Sequence, residues 1–163
     1  MQTRMIRFIV TLTLALGLGG LAAGCRSGRS AREARETTVT AAQLTGPARV
    51  TLERVTAGGQ VEKITKEVEK GKPLYDVEAV VGGKHVEFLI SETDGAVLGT
   101  EVPVEFTELP EPVRAAAAKF FGGAAGLKAM KGVEFGETSY EVEGTKNEKT
   151  VEVTYDPSGK PLE

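Results

Sequence analysis

The chain is 163 residues long, 40% hydrophobic and 26% charged, with a formal net charge of −3 at pH 7. That balance is ordinary for a folded domain and argues against a disordered chain. One cysteine excludes an internal disulfide, and one histidine speaks against a zinc or haem centre and a Ser-His triad.

The N-terminus reads as a leader. Arg4 and Arg7 form a positive start, Phe8 to Leu21 carries no charge, and Leu21-Ala22-Ala23-Gly24 brings small residues up to Cys25. The apolar run is short for a membrane span and has the flanks of a signal peptide. A lone cysteine in this setting resembles the lipobox of bacterial lipoproteins, with Ala22 where leucine is usual. The resemblance implies that residues 1–24 are removed and that Cys25 becomes an acylated N-terminus, carrying palmitate-like chains. Several such chains, at about 0.8 kcal/mol per buried CH₂, would anchor the protein stably in membrane lipid.

Residues 25–44 then form a tether. Arg26, Arg29, Arg32 and Arg35 stand there against Glu33 and Glu36. Beyond residue 36 the chain holds 14 basic and 21 acidic residues, a net of −7. The tether's arginines suit anionic headgroups, each worth about 1 kcal/mol, or are simply solvated. A body this acidic speaks against nucleic acid as a partner.

The rest is one segment written twice. Residues 47–91 and 112–156 align without a gap at an offset of 65, with 14 of 45 pairs identical, where chance gives about three. Pro47/Pro112, Tyr75/Tyr140, Val77/Val142 and Glu87/Glu152 are among them. A repeat of this length is one supersecondary unit used twice. In the first copy Ala48, Thr51, Leu52 and Val55 make a helical stripe after Pro47. In the second, Val113, Ala116, Ala117 and Phe120 do so after Pro112. Gly58-Gly59 and Gly122-Gly123 are the expected helix stops.

Strands are predicted over 61–69, 74–81 and 86–90, and again over 127–134, 138–143 and 151–155, with period-two alternation. Gly82-Gly83 reads as a tight hairpin, while Gly144 to Glu148 reads as a longer, looser loop. A turn and short fourth strand follow at 93–98, and Thr100 to Thr107 is β-rich enough to add a strand. The fold class is therefore α+β, as two tandem helix-plus-antiparallel-sheet repeats of three to four strands, at 45–99 and 109–163. Each unit alone is marginal in size, so the two are expected to pack as one body, with separate or continuous sheets.

The stretches YDVEAVVGGKHVEFLISETDGAVL and YEVEGTKNEKTVEVTYDPSGKPL carry a Tyr-x-Val strand, a Val-Glu strand and an Asp–Gly–Leu turn. This pattern resembles PepSY and PepSY-like domains over both repeats. The tandem arrangement is similar to exported β-lactamase inhibitor proteins. The resemblance implies an inhibitory or folding-assist module outside the cytoplasm. No protease domain and no H-E-x-x-H motif accompanies it here.

The candidate interaction face is acidic. Alternation puts Asp76, Glu78, Glu87, Glu141, Glu143 and Glu152 opposite the helices, and Tyr75 and Tyr140 beneath them. Carboxylates so arranged can hold a hard cation or do acid–base work. Lys63, Lys66, Lys84, Lys128, Lys131 and Lys149 on neighbouring strands also allow plain cross-strand charge pairing on a solvated face. No phosphate loop, nucleophile elbow, metal-ligand spacing or cofactor motif occurs. The expectation is a non-enzymatic, lipid-anchored binding module on the extracytoplasmic or periplasmic side of a bacterial envelope. Its partner would be a protein or peptide, with inhibition of a secreted protease or hydrolase as the sharpest form. The rivals are a small-ligand or cation sensor and a structural envelope lipoprotein without a specific ligand.

Overall fold

A computed structural model of the chain describes residues 36–162. The expected leader, Cys25 and most of the tether lie outside the described residues. Two helices and one eight-stranded antiparallel sheet make the protein α+β. The strands are β1 (Thr37–Thr38), β2 (Gln60–Glu69), β3 (Lys72–Val81), β4 (Lys84–Ser91), β5 (Val97–Val104), β6 (Lys128–Glu134), β7 (Glu137–Lys146) and β8 (Lys149–Tyr155). They pair in chain order. Helix α1 (Gly46–Val55) separates β1 from β2, and α2 (Glu111–Phe121) separates β5 from β6.

Continuity of the sheet comes from β5. The β-rich segment after Gly99 extends the short strand expected at its start, and Gly99 to Val104 pairs with Glu134 to Ala129 of β6. A single eight-stranded sheet results, not two small ones.

Both helices pack on one face of the sheet. Under α1, Ala48 and Leu52 meet Ile64, Tyr75, Val77, Ala79, Val86 and Ile90. Under α2, Val113 and Ala117 meet Ala129, Val142 and Tyr155. The strand residues alternate with a period of two, so one pleat face supplies both cores. Each helix also leans its first turn on a glycine. A Cβ at Gly95 would stand 2.5 Å from the Pro47 carbonyl oxygen, and one at Gly159 would stand 2.4 Å from that of Pro112. Both glycines have positive φ, 72° and 82°, so the turn needs glycine for backbone and space alike.

Several expectations need correction. Residues 144–146 belong to β7, and Asn147-Glu148, with φ of 52° and 63°, make a two-residue turn as tight as Gly82-Gly83. Phe121, not Phe120, packs on the second core, against the side-chain-free Gly144. Phe120 is exposed, edge-on to Phe121, with the Lys146 Nζ 3.5 Å above its ring. Helix α1 ends at Val55 and is capped by Thr56, whose hydroxyl donates to the Leu52 carbonyl, before the glycine pair is reached. The two tyrosines hold matching positions under the helices but differ in depth: Tyr75 is fully buried, Tyr140 half-buried, and Tyr155 takes the deep position in the second core.

Candidate functional site

The face opposite the helices is acidic from edge to edge. Partners in register share a face, so the row Lys63–Glu78–Glu87–Glu101–Gly132–Ser139 runs across β2 to β7. A neighbouring row runs Thr65–Asp76–Leu89–Gly99–Glu134–Glu137. On the other side of the first row, Glu141 faces Met130 and Thr154, and Glu143 faces Lys128 and Glu152.

This face is a trough, because the sheet curls toward it. The tips of the β2–β3 and β6–β7 hairpins are four strand spacings apart, about 19 Å in a flat sheet. Yet Lys70 Nζ lies 4.7 Å from the Phe135 ring centroid and 3.4 Å from Glu137 Oε2, and Lys72 Nζ lies 5.5 Å from the same ring. The two tips thus clasp across one end of the trough, where Leu74 and Leu89 are buried. Phe135 occupies a turn position with φ of 49°, a conformation that a bulky residue adopts only under constraint.

Enclosure sets the electrostatics. Glu101 is 4% exposed and Glu134 2% exposed. Burial, with the surrounding negative charges, pushes the Glu101 carboxyl up to about 9 and Glu87 up to about 8. Asp76, Glu134 and Glu141 are pushed up to about 7 by the same two causes in the same order. Glu152 is raised as well, by burial first and then by Glu143. One oxygen each of Asp76, Glu87, Glu101 and Glu134 is buried without a hydrogen-bond partner.

All six acidic residues expected on this face are on it, but they divide into two kinds. Glu78 accepts a hydrogen bond from Lys63 at 2.8 Å, and Glu143 accepts one from Lys128 at 2.7 Å. These two are the cross-strand charge pairs that simple surface chemistry predicts. Among the described residues, Asp76, Glu87, Glu141 and Glu152 have no lysine hydrogen-bonded to them. Lys66, Lys84, Lys131 and Lys149 pair in register with helix-side positions, so they leave the trough. Lys66 reaches Glu92 instead. The solvated open face expected from alternation is therefore corrected to a partly closed one. His85 is exposed, with Nδ1 3.0 Å from Glu62.

Sequence reasoning missed the two most buried acids. Glu101 fell in the Thr100–Thr107 segment, expected to add a strand but assigned to neither face, and the alternation Gly99-x-Glu101-x-Pro103 was the available signal. Glu134 was visible as the repeat partner of Glu69 but was not placed on the face. Among the described residues, no group of three or more acidic, histidine or cysteine side chains is arranged to hold a metal ion. No described helix is long and apolar enough to cross a membrane.

Residues 38–101, which span β1 to the middle of β5, match the PepSY family, described as the peptidase propeptide and YPEB domain. No curated protein matches the chain. Among solved structures, a presumed periplasmic protein from Bacteroides eggerthii is similar at 14% identity. The match covers 74% of this chain and 86% of that one, with a TM-score of 0.53. A presumed periplasmic protein of unknown function from Bacteroides vulgatus aligns at 19% identity over 78% of this chain and 97% of its own, with a TM-score of 0.37. The first of these likenesses extends the α+β fold to a known architecture.

Proposed function

We propose that this protein is an extracytoplasmic binding module that receives a basic protein or peptide in its acidic trough. The observation that carries the reading is the trough itself, a curled face lined by carboxylates, several of them unpaired. Charge complementarity favours a basic partner, since a lysine- or arginine-rich segment is what such a face attracts and orients. The PepSY match over residues 38–101 supports a module that acts on another polypeptide. In this reading the two halves, 45–99 and 109–163, are copies of one unit. The 14 repeated identities support that, as do the equal strand registers and the helix starts resting on Gly95 and Gly159. Duplication widens the sheet toward the roughly 800 Å² per partner that a stable interface needs.

Acylated Cys25 would hold the module at a membrane lipid surface, with inhibition of a secreted protease or other hydrolase as its sharpest role. The test of the trough is calorimetric titration of the intact protein with a lysine- and arginine-rich peptide and an acidic peptide of equal length. The basic peptide should bind, and more weakly as salt rises; equal or absent binding of the two peptides contradicts the reading. For the anchor, Cys25→Ser should release the protein from membranes after a high-salt wash. Retention of the variant would show that another group holds it.

A further inference from the structure

Glu101 lies between a second carboxylate, Glu87, and a position that has no side chain, Gly132, with Glu141 one row along on the far side. Glu101 of β5 is paired with Glu87 of β4 on one side and with Gly132 of β6 on the other. Beyond Gly132, on β7, come Ser139 and, two residues on along the same face, Glu141. Because Gly132 bears no side chain, Glu101 faces Glu141 across it, and Glu141 is the foremost charge acting on Glu101. A Cβ at position 132 would stand 3.0 Å from the Ser139 Oγ, so a hydroxyl borders the gap.

The Glu101 side chain is nine-tenths buried and more, and its Oε2 has no hydrogen-bond partner; the same holds for Glu87 Oε2. A buried carboxylate oxygen without a partner is costly. What is lacking is a positive group with several N–H donors. A metal ion would need oxygens gathered at about 2.3–2.6 Å around one point, and no described set is gathered in that way. An ammonium or guanidinium group spreads its donors and bonds at about 2.7–2.9 Å, which suits carboxylates on separate strands.

The geometry points to a socket in which Glu87, Glu101 and Glu141 receive one ammonium or guanidinium group above Gly132. This rests on the trough reading and adds to it a location and a ligand chemistry. The group arrives either as a lysine or arginine side chain of the bound segment or as a free polyamine. Facing Glu101 are Glu87 from β4, Glu134 from β6, Glu141 from β7 and Glu152 from β8, while Asp76 and Glu78 of β3 act on Glu87. Lys63, in the same row, is engaged by Glu78. Burial first, and the neighbouring negative charges second, hold the Glu87 and Glu101 carboxyls well above the ordinary range, so an entering cation that favours their charged form releases protons to solvent.

The experiment is calorimetry with proton-release measurement near neutral pH, on the intact protein, using agmatine, spermidine and an arginine-containing peptide as probes. At least one amine or guanidinium probe should bind with proton release. Glu101→Gln and Glu141→Gln should each weaken that probe about tenfold or more, equivalent to about 1.4 kcal/mol. Glu53→Gln, exposed on helix α1 and outside the trough, should change it less than about twofold. Spermidine binding without peptide binding identifies a free polyamine; the converse identifies a polypeptide side chain. The socket is overturned if the peptide binds unchanged to folded Glu101→Gln and Glu141→Gln, which leaves the trough reading standing. Failure of every cationic probe on the wild-type protein overturns both.

Discussion

Along β3, Tyr75, Val77 and Ala79 point to the helices while Leu74, Asp76 and Glu78 point to the trough, and the two sets follow opposite rules. The helix-covered face closes apolar side chains into two cores, which favours folding. The trough face encloses carboxylates that repel one another, with buried oxygens of Asp76, Glu87, Glu101 and Glu134 left without a hydrogen-bond partner, which disfavours it. The difference teaches that one strand can carry stability on one side and leave the other, in the proposed reading, to recognition, because alternation keeps the two apart. It also explains why the trough survives its cost: the cores on the far side supply the stability it takes away.

The comparison breaks most visibly at Tyr75. Tyr75→Ala should cost roughly 3–5 kcal/mol in urea titration, the range for deleting a buried aromatic ring. A loss under about 0.5 kcal/mol would mean that the ring is not core. On the opposite face the sign should reverse. Combined Glu101→Gln and Glu134→Gln should raise stability above neutral pH by about 1–3 kcal/mol, the scale of relieving unpaired buried polar groups.

The same carboxyls set the pH profile. In the unfolded chain they lose their protons near their ordinary values of 3.8 and 4.5, whereas in the fold they keep them to about 7, 8 or 9. Between those limits the folded state holds more protons. Their contribution to stability is therefore fullest below about 4 and is lost as pH rises, most steeply up to about 7 and more gently to about 9, whereas Asp94 and Asp156, held below the usual range by hydrogen bonds, lose theirs as pH falls. Thermal melts across that range should follow this course, and the double glutamine variant should flatten it.

Smaller effects sharpen the contrast. Tyr140→Ala should cost roughly 1–2 kcal/mol, because its half-buried ring gives up less than Tyr75 does. Phe135→Asn relieves an unfavourable turn but removes the ring under Lys70 and Lys72. Its stability should stay within about 0.5 kcal/mol of wild type, while hydrogen exchange at both hairpin tips rises. Unchanged exchange would show that the clasp does not hold the trough's end.

Much of this was legible in the residues, and the reasons are specific. The offset of 65 fixed which strands correspond, and alternation around Tyr75 and Tyr140 assigned Asp76, Glu78, Glu87, Glu141, Glu143 and Glu152 to one face. What alternation cannot carry is curvature. Whether a face is open or folded inward depends on how far eight strands coil, and no local pattern states that. Hence the enclosure of Glu101 and Glu134, and the meeting of Lys70 with Phe135, emerge only in three dimensions. The Gly144–Glu148 misreading has a simpler cause. Asn147 and Glu148 take left-handed backbone angles that Gly82-Gly83 advertises by composition and Asn-Glu does not.

The paired acids Glu78 and Glu143 are the weaker places to probe recognition, since lysines already hold them, and Glu87 and Glu141 are the stronger. The most direct measurement is the association rate of a lysine- and arginine-rich peptide with the intact protein across ionic strength, for wild type and for Glu87→Gln with Glu141→Gln. A recognition trough predicts slower association for the double variant and a shallower fall with salt. Identical rates and identical salt slopes would contradict it, and would move the contact to the edge of β8 ahead of Thr154, where the C-terminal segment does not cover it.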